Sequence, residues 1–192
     1  MSKKQTNDSL SLAANIFEWI EMIILSACVV LIIFTFAIRP ASVDGRSMEN
    51  TLHHKELLLI SDVLYKPSYG DIIVFQKIDS THPAPVVKRV IATEGETIDY
   101  DYITGKTTVT DTDGNTTVLD ETYIKPESTE YYKSVPMSFP ILLGEGELFV
   151  MGDNRNNSFD SRSQYIGIVK EDEIIGRVLL RAFPFNKFGT VK

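Results

Sequence analysis

From Met22 to Ile38 the chain reads "MIILSACVVLIIFTFAI", 17 residues without a single charge. A helix of that run is about 25 Å long at ~1.5 Å per residue, a little short of a ~30 Å hydrocarbon core. Ile16, Phe17, Trp19 and Ile20 extend it backwards, with Trp19 placed as an interfacial aromatic and Glu18 and Glu21 at headgroup depth. A cleaved leader is the competing reading. The segment before the run is long and contains acidic residues, and Arg39-Pro40 follows without a pair of small residues for cleavage, so the run is read as an anchor. The expected organisation is an N-terminal segment over 1–15, a membrane span over 16–38 and one domain over 39–192. Positive charge does not orient the span, because Lys3 and Lys4 precede it while Arg39, Arg46 and Lys55 follow. Long domains translocate largely regardless of charge, which favours a cytoplasmic N-terminus and an extracytoplasmic domain.

With 192 residues in all, roughly 150 remain for that domain, close to the usual size of a single core. The net charge of −7 makes nucleic acid an unfavourable partner. The one cysteine, Cys28, lies inside the apolar run, so no internal disulfide can form. Three histidines without zinc spacing and the lack of a calcium-type acidic loop predict neither a metal site nor a cofactor.

After Pro40 the pattern changes to short β-type runs bounded by turn residues: "ELLLIS" from Glu56, "DIIVFQKI" from Asp71, "PVVKRVIA" from Pro85, "ELFVMG" from Glu147 and "IIGRVLLRAF" from Ile174. No sustained helical period appears, and the domain is expected to be mainly β. Between about 99 and 140 lies a polar stretch in which "TTVT" and "TTVL" flank Asp111-Thr112-Asp113-Gly114-Asn115, the pattern of a hairpin closed by a glycine-containing loop. Its β-branched content argues for a polar β insertion over an acidic loop.

In "VVKRVI", Lys88 and Arg89 point to opposite faces of a strand, and each has apolar neighbours two positions away. At least one of the two charges is therefore expected to be buried. Arginine keeps its proton and needs a carboxylate, whereas desolvation lowers a lysine pKa by up to several units and frees the amine to act as a base. The bland alternative is two charges snorkelling at a sheet edge. A neutral lysine needs a hydroxyl to activate, and Ser47 in the turn "SMENTL" is the candidate, although the same turn also fits a helix cap. "MGDNRNNSFDSR", from Met151 to Arg162, reads as a hydrogen-bonded loop in which Asp153 or Asp160 pairs with Arg89 and Ser158 or Ser161 holds the lysine amine. A histidine base at His53, His54 or His82 is the rival chemistry, and all three sit in polar or turn surroundings.

Taken in order, "GRSMENTL", "YGDIIVF", "VVKRVIATEGETI", "ETYIKP", "GDNRNNSFDSRSQYIGIV" and "IIGRV" resemble the boxes of the bacterial type I signal peptidases, in a Gram-positive-like form. The resemblance implies a signal-peptidase-like β-sheet catalytic domain on one N-terminal transmembrane helix. It implies Ser47 as nucleophile, Lys88 as base, Ser158 as a hydrogen-bond partner of the lysine, and Asp153, Asp160 and Arg162 as buried supporting charges, with Arg89 paired to one of the aspartates. A related branch places histidine where this chain has Lys88. The implied substrates are preproteins with signal peptides, carrying small residues before the scissile bond, met at the bilayer surface.

Three positions depart from the family pattern. Asn50 stands where proline is usual, Ala92-Thr93-Glu94-Gly95-Glu96 where Gly-Leu-Pro-Gly-Asp is usual, and Gly45 where some members place a hydroxyl that donates to the oxyanion. The last leaves the main-chain N–H of Ser47 as the expected oxyanion donor. Two other classes share these features: an impaired homologue that binds preproteins without cutting them, and a self-cleaving Ser-Lys regulator, which the span and the acidic balance disfavour. Ser47 follows Ile38 by nine residues, at most ~30 Å of extended chain, which keeps the nucleophile close to the membrane surface.

Overall fold

The computed structural model describes residues 2–77, 84–124 and 135–191, with side chains in the first helix described for 15–35. Two compact units divide the chain, Met1–Arg39 and Pro40–Lys192.

The first unit is one helix, α1 (Ser2–Phe36). Its stretch Asn15–Thr35 has a mean hydropathy of 2.4, and none of it is buried within the protein. At ~1.5 Å per residue those 21 residues extend about 32 Å, the thickness of a hydrocarbon core. The helix ends before Ile38, two residues short of the apolar run, where Arg39-Pro40 opens a strand. Proline disfavours helical geometry in the residue before it.

The second unit is mainly β. Its strands are β1 (Arg39–Ser42), β2 (Leu57–Ser61), β3 (Ile72–Phe75), β4 (Val86–Ala92), β5 (Thr97–Tyr100), β6 (Thr107–Thr110), β7 (Thr116–Val118), β8 (Ile141–Leu142), β9 (Glu147–Met151), β10 (Val169–Lys170) and β11 (Ile174–Phe183). Seven form one sheet in the order β1-β2-β11-β3-β4-β9-β10, and four form a second in the order β7-β6-β5-β8. The five apolar runs read from sequence become β2, β3, β4, β9 and β11. "TTVT" becomes β6 and pairs with β7 across the Asp111–Asn115 loop, where Gly114 takes φ +85°, open to glycine at little steric cost. Residues 125–134 of the polar stretch lie outside the described residues.

Three apolar clusters hold the sheets together. One gathers Val43, Met48, Leu52, Leu58, Ile60, Ile72, Val74 and Val178, and so seats the turn after β1 on the large sheet. Met48, at 2 % exposure, is a core residue here. A second joins the sheets through Ile91, Ile98, Tyr100, Leu143, Phe149 and Met151. The third, Ile73, Phe75, Val90, Leu148, Val150 and Val169, packs the strands beside Lys88. In the antiparallel pairing Ile73 faces Lys88 and Arg89 faces Met151, so β4 is held centrally between β3 and β9 and its charges are drawn out of water.

Candidate active site

Lys88 and Arg89 are each 3 % exposed, so both charges of the β4 dipeptide are buried rather than one, and neither snorkels. Lys88 Nζ lies 2.7 Å from Ser47 Oγ and 3.1 Å from the Val87 carbonyl. A neutral amine can donate one N–H to that carbonyl and keep its lone pair for the serine proton. Burial is the largest influence on the amine and pushes its pKa down to about 8; Asp160 and Asp153 pull it back up, and Arg162 adds to the fall.

Ser47 belongs to a turn that follows Gly45, which takes φ +98°, a conformation that side chains with a Cβ rarely adopt. The turn is closed by hydrogen bonds from Glu49 N–H to the Arg46 carbonyl and from Leu52 N–H to the Met48 carbonyl, and Met48 and Leu52 anchor it in the core. Asn154 clamps it from the loop after β9: its N–H donates to the Ser47 carbonyl at 2.9 Å and its side-chain amide to the Arg46 carbonyl at 3.0 Å. The Ser47 N–H itself donates to no described residue and is available to an oxyanion.

Beside Ser47 and Lys88 lie two buried ion pairs. Arg89 grips Asp153 with Nε and Nη2, at 2.9 Å and 2.7 Å, and gives Nη1 to the Gly70 carbonyl. The Thr51 hydroxyl donates to the same carboxylate in a short contact, tying the Ser47 turn to it. Arg162 pairs with Asp160 through Nε and Nη2, and it also donates to the Tyr100 hydroxyl and the Arg155 carbonyl. Burial works against charge on Asp160, yet Arg162 and the Gly152 N–H hold its carboxyl below the usual range. The two aspartates thus divide, Asp153 to Arg89 and Asp160 to Arg162, where the sequence left the partner of Arg89 open.

Ser158 departs from expectation. No hydrogen bond links it to Lys88, whose contacts go to Ser47 and Val87; its buried hydroxyl lies against Gly152 and, without a well-formed bond, close enough to Asp160 to favour that carboxylate's charged form. A methyl group on Gly152 would overlap both that hydroxyl and the Ser47 carbonyl, so glycine alone lets the loop approach Ser47 this closely. Ser161 is turned away, its hydroxyl accepting from the Val150 N–H.

Neither His53 nor His54 hydrogen-bonds to Ser47. His53 faces Glu56 at 3.7 Å, and His54 Nδ1 accepts from the Gly45 N–H and lies 3.2 Å from Asp44. Their side chains are 47 % and 49 % exposed, and His82 lies outside the described residues. No cluster of metal-ligating side chains occurs among the described residues.

Sequence reading missed Thr51, Asn154, Arg155 and Tyr100 as parts of this network. Thr51 and Asn154 lie inside the quoted boxes, but a hydroxyl or amide reaching across the chain leaves no periodic signal. The arrangement pairs a hydroxyl with a buried amine whose hold on its proton is weakened, beside a main-chain N–H that donates to no described residue, the equipment for acyl transfer.

A family model described as signal peptidase, peptidase S26, matches residues 16–183. Signal peptidase I T of Bacillus subtilis is 33% identical over 202 aligned residues, spanning 100% of this chain and 94% of its own. Signal peptidase IB of Staphylococcus aureus is 30% identical and spans 90% of this chain and 92% of its own. A crystal structure of a signal peptidase I from Enterococcus faecalis is 27% identical, with a TM-score of 0.44 over 59% of this chain and 97% of that one. With the family model matching most of its length and relatives aligned nearly end to end, the chain belongs to the signal peptidase family, peptidase S26.

Proposed function

We propose that this chain is a membrane-anchored serine endopeptidase that cleaves signal peptides from exported preproteins, with Ser47 as nucleophile and Lys88 as general base. Neutral Lys88 takes the Ser47 proton as Oγ attacks the scissile carbonyl, and the Ser47 N–H donates to the oxyanion that forms. The resulting ammonium then protonates the departing amine of the mature protein. An ester remains between Ser47 and the signal peptide. A water molecule deprotonated by the regenerated amine attacks it, releasing the signal peptide and the free hydroxyl. Residues 16–38 span the bilayer in this reading, and the domain from 39 onward faces away from the cytoplasm.

The observation that carries the reading is the 2.7 Å approach of a buried lysine amine to a half-buried serine hydroxyl. Membership in a peptidase family supports it. The test is incubation of the purified protein, in detergent, with a preprotein bearing alanine before its cleavage site. Wild type is expected to cut it, and Ser47→Ala and Lys88→Ala each to lose on the order of 10²–10⁴-fold in rate. A folded wild type without turnover points instead to a binder of preproteins. Retained activity in Lys88→Ala that is lost on replacing His53, His54 or His82 moves the base to a histidine.

A further inference from the structure

The polar sheet and the segment that follows β7 are remote in sequence from both members of the proposed dyad, and the box "ETYIKP" has no part in the mechanism above. Two of its side chains nevertheless reach the arginines that surround the dyad. Glu121 forms a buried ion pair with Arg155, the two side chains being 5 % and 1 % exposed. Arg155 Nη1 donates to Glu121 Oε2 at 2.9 Å, Nη2 makes a short contact to Oε1, and the Thr107 hydroxyl of β6 donates to Oε2 at 3.0 Å. Arg155 opens the 3-10 turn Arg155–Asn157, directly after Asp153 and Asn154. Its Nε donates to the Gly152 carbonyl and its own carbonyl accepts from Arg162. One guanidinium thus cross-braces the loop that holds Asp153 against Arg89 and Asn154 against the Ser47 turn.

Tyr123 takes the other arginine. The Arg89 guanidinium carbon lies 4.1 Å from the centre of the Tyr123 ring, and the Tyr123 hydroxyl donates to Glu121 Oε1 at 2.8 Å. Arg89 is the residue after Lys88, and its other contacts are Asp153, Thr51 and Gly70. The ring covers the guanidinium face that those in-plane hydrogen bonds leave open. Two aligned carboxylate bonds fix the plane of a guanidinium, and an aromatic ring on its face fixes its height.

We propose that Glu121 and Tyr123 are positioning residues for the reaction, holding the Ser47 turn and the Lys88 strand in register through Arg155 and Arg89. The segment after the polar sheet is therefore part of the catalytic apparatus and not an ornament of the fold. This rests on the reading of Ser47 and Lys88 as the dyad. A positioning role predicts lost turnover with substrate binding kept, since neither side chain contacts Ser47 or Lys88, and reacting groups displaced by about 1 Å forfeit up to ~100-fold in rate.

The experiment measures kcat and KM on a preprotein substrate for the full-length variants Tyr123→Leu, Tyr123→Phe and Glu121→Gln, and for the double variant with Glu121→Gln and Arg155→Gln. Each is assayed well below its own melting temperature. Tyr123→Leu and Glu121→Gln are expected to lower kcat by on the order of 10- to 100-fold while KM stays within about threefold. Tyr123→Phe, which keeps the ring over Arg89, recovers most of what Tyr123→Leu loses. The double variant, which removes the brace altogether, falls at least as far in kcat as Glu121→Gln alone, while its melting temperature recovers because no buried charge is left unpaired. Unchanged kcat in folded Tyr123→Leu and Glu121→Gln overturns the proposal, as does a fall that only tracks the loss of folded protein. Ser47→Ala and Lys88→Ala run alongside: activity retained by those two refutes the dyad, whereas their inactivity beside fully active Tyr123 and Glu121 variants refutes only the positioning role.

Discussion

Water hydrates almost none of the Lys88 side chain, and the apolar residues of β3, β4 and β9 enclose the strand around it. The amine is depressed from 10.5 in the unfolded chain to about 8 in the folded one. Between those two values the unfolded state binds the extra proton, so stability rises with pH across about 8 to 10.5, and below 8 the whole penalty is present. It amounts to on the order of 3 kcal/mol. Lys88→Met, which fills similar space without a charge, is expected to abolish cleavage and to melt about 5 °C or more above wild type at pH 7. The gap should narrow as the pH is raised toward 10. Calorimetry across pH checks this, and a variant that melts lower than wild type at pH 7 contradicts it. The sequence showed that at least one charge of the Lys88-Arg89 pair is buried, since each has apolar neighbours at two-residue spacing, but left a sheet edge with both charges wet as the alternative; the central place of β4 between β3 and β9 decides it. The sequence also pointed to Ser158 or Ser161 as holding the lysine amine, but where those hydroxyls end up depends on the loop path around Gly152 and not on any local pattern.

At the scale of elements, the long apolar runs announced themselves, since β-branched residues between turn residues have little else to become. The two-residue strands β8 and β10 did not, being too short for any period to show. The sheet order was equally hidden: β11, last in the chain, inserts between β2 and β3. On its other edge β3 pairs with β4, in the register that sets Ile73 opposite Lys88. Partner choice among the loop charges has the same origin. Asp160 turns back to Arg162 two residues on and accepts from the Gly152 N–H, which leaves Asp153 alone facing Arg89. Both aspartates were evident as candidates, and only the folded path of the loop assigns them.

For the whole molecule, the chain combines an apolar helix with a β domain large enough to fold around its own three clusters. An apolar segment of 21 residues carrying exposed Phe17, Trp19, Ile24, Leu25 and Leu31 needs a nonaqueous surrounding. The proposed topology predicts that the full chain sediments with membranes and resists extraction by high salt. Protease added to intact protoplasts should digest the domain, and protease added to inverted vesicles should leave it whole. The reverse protection pattern contradicts the outward orientation.

Cleavage by this route needs a lysine whose proton is lost near pH 8 in the folded protein rather than above 10. The most direct measurement is the pH dependence of kcat/KM for wild-type cleavage, taken with the titration of the Lys88 amine followed by NMR. Only the neutral amine is competent, so kcat/KM should rise with pH through a midpoint near 8 that coincides with the Lys88 titration. A Lys88 midpoint above 10, or an activity rise that survives unchanged in Lys88→Met, would contradict it.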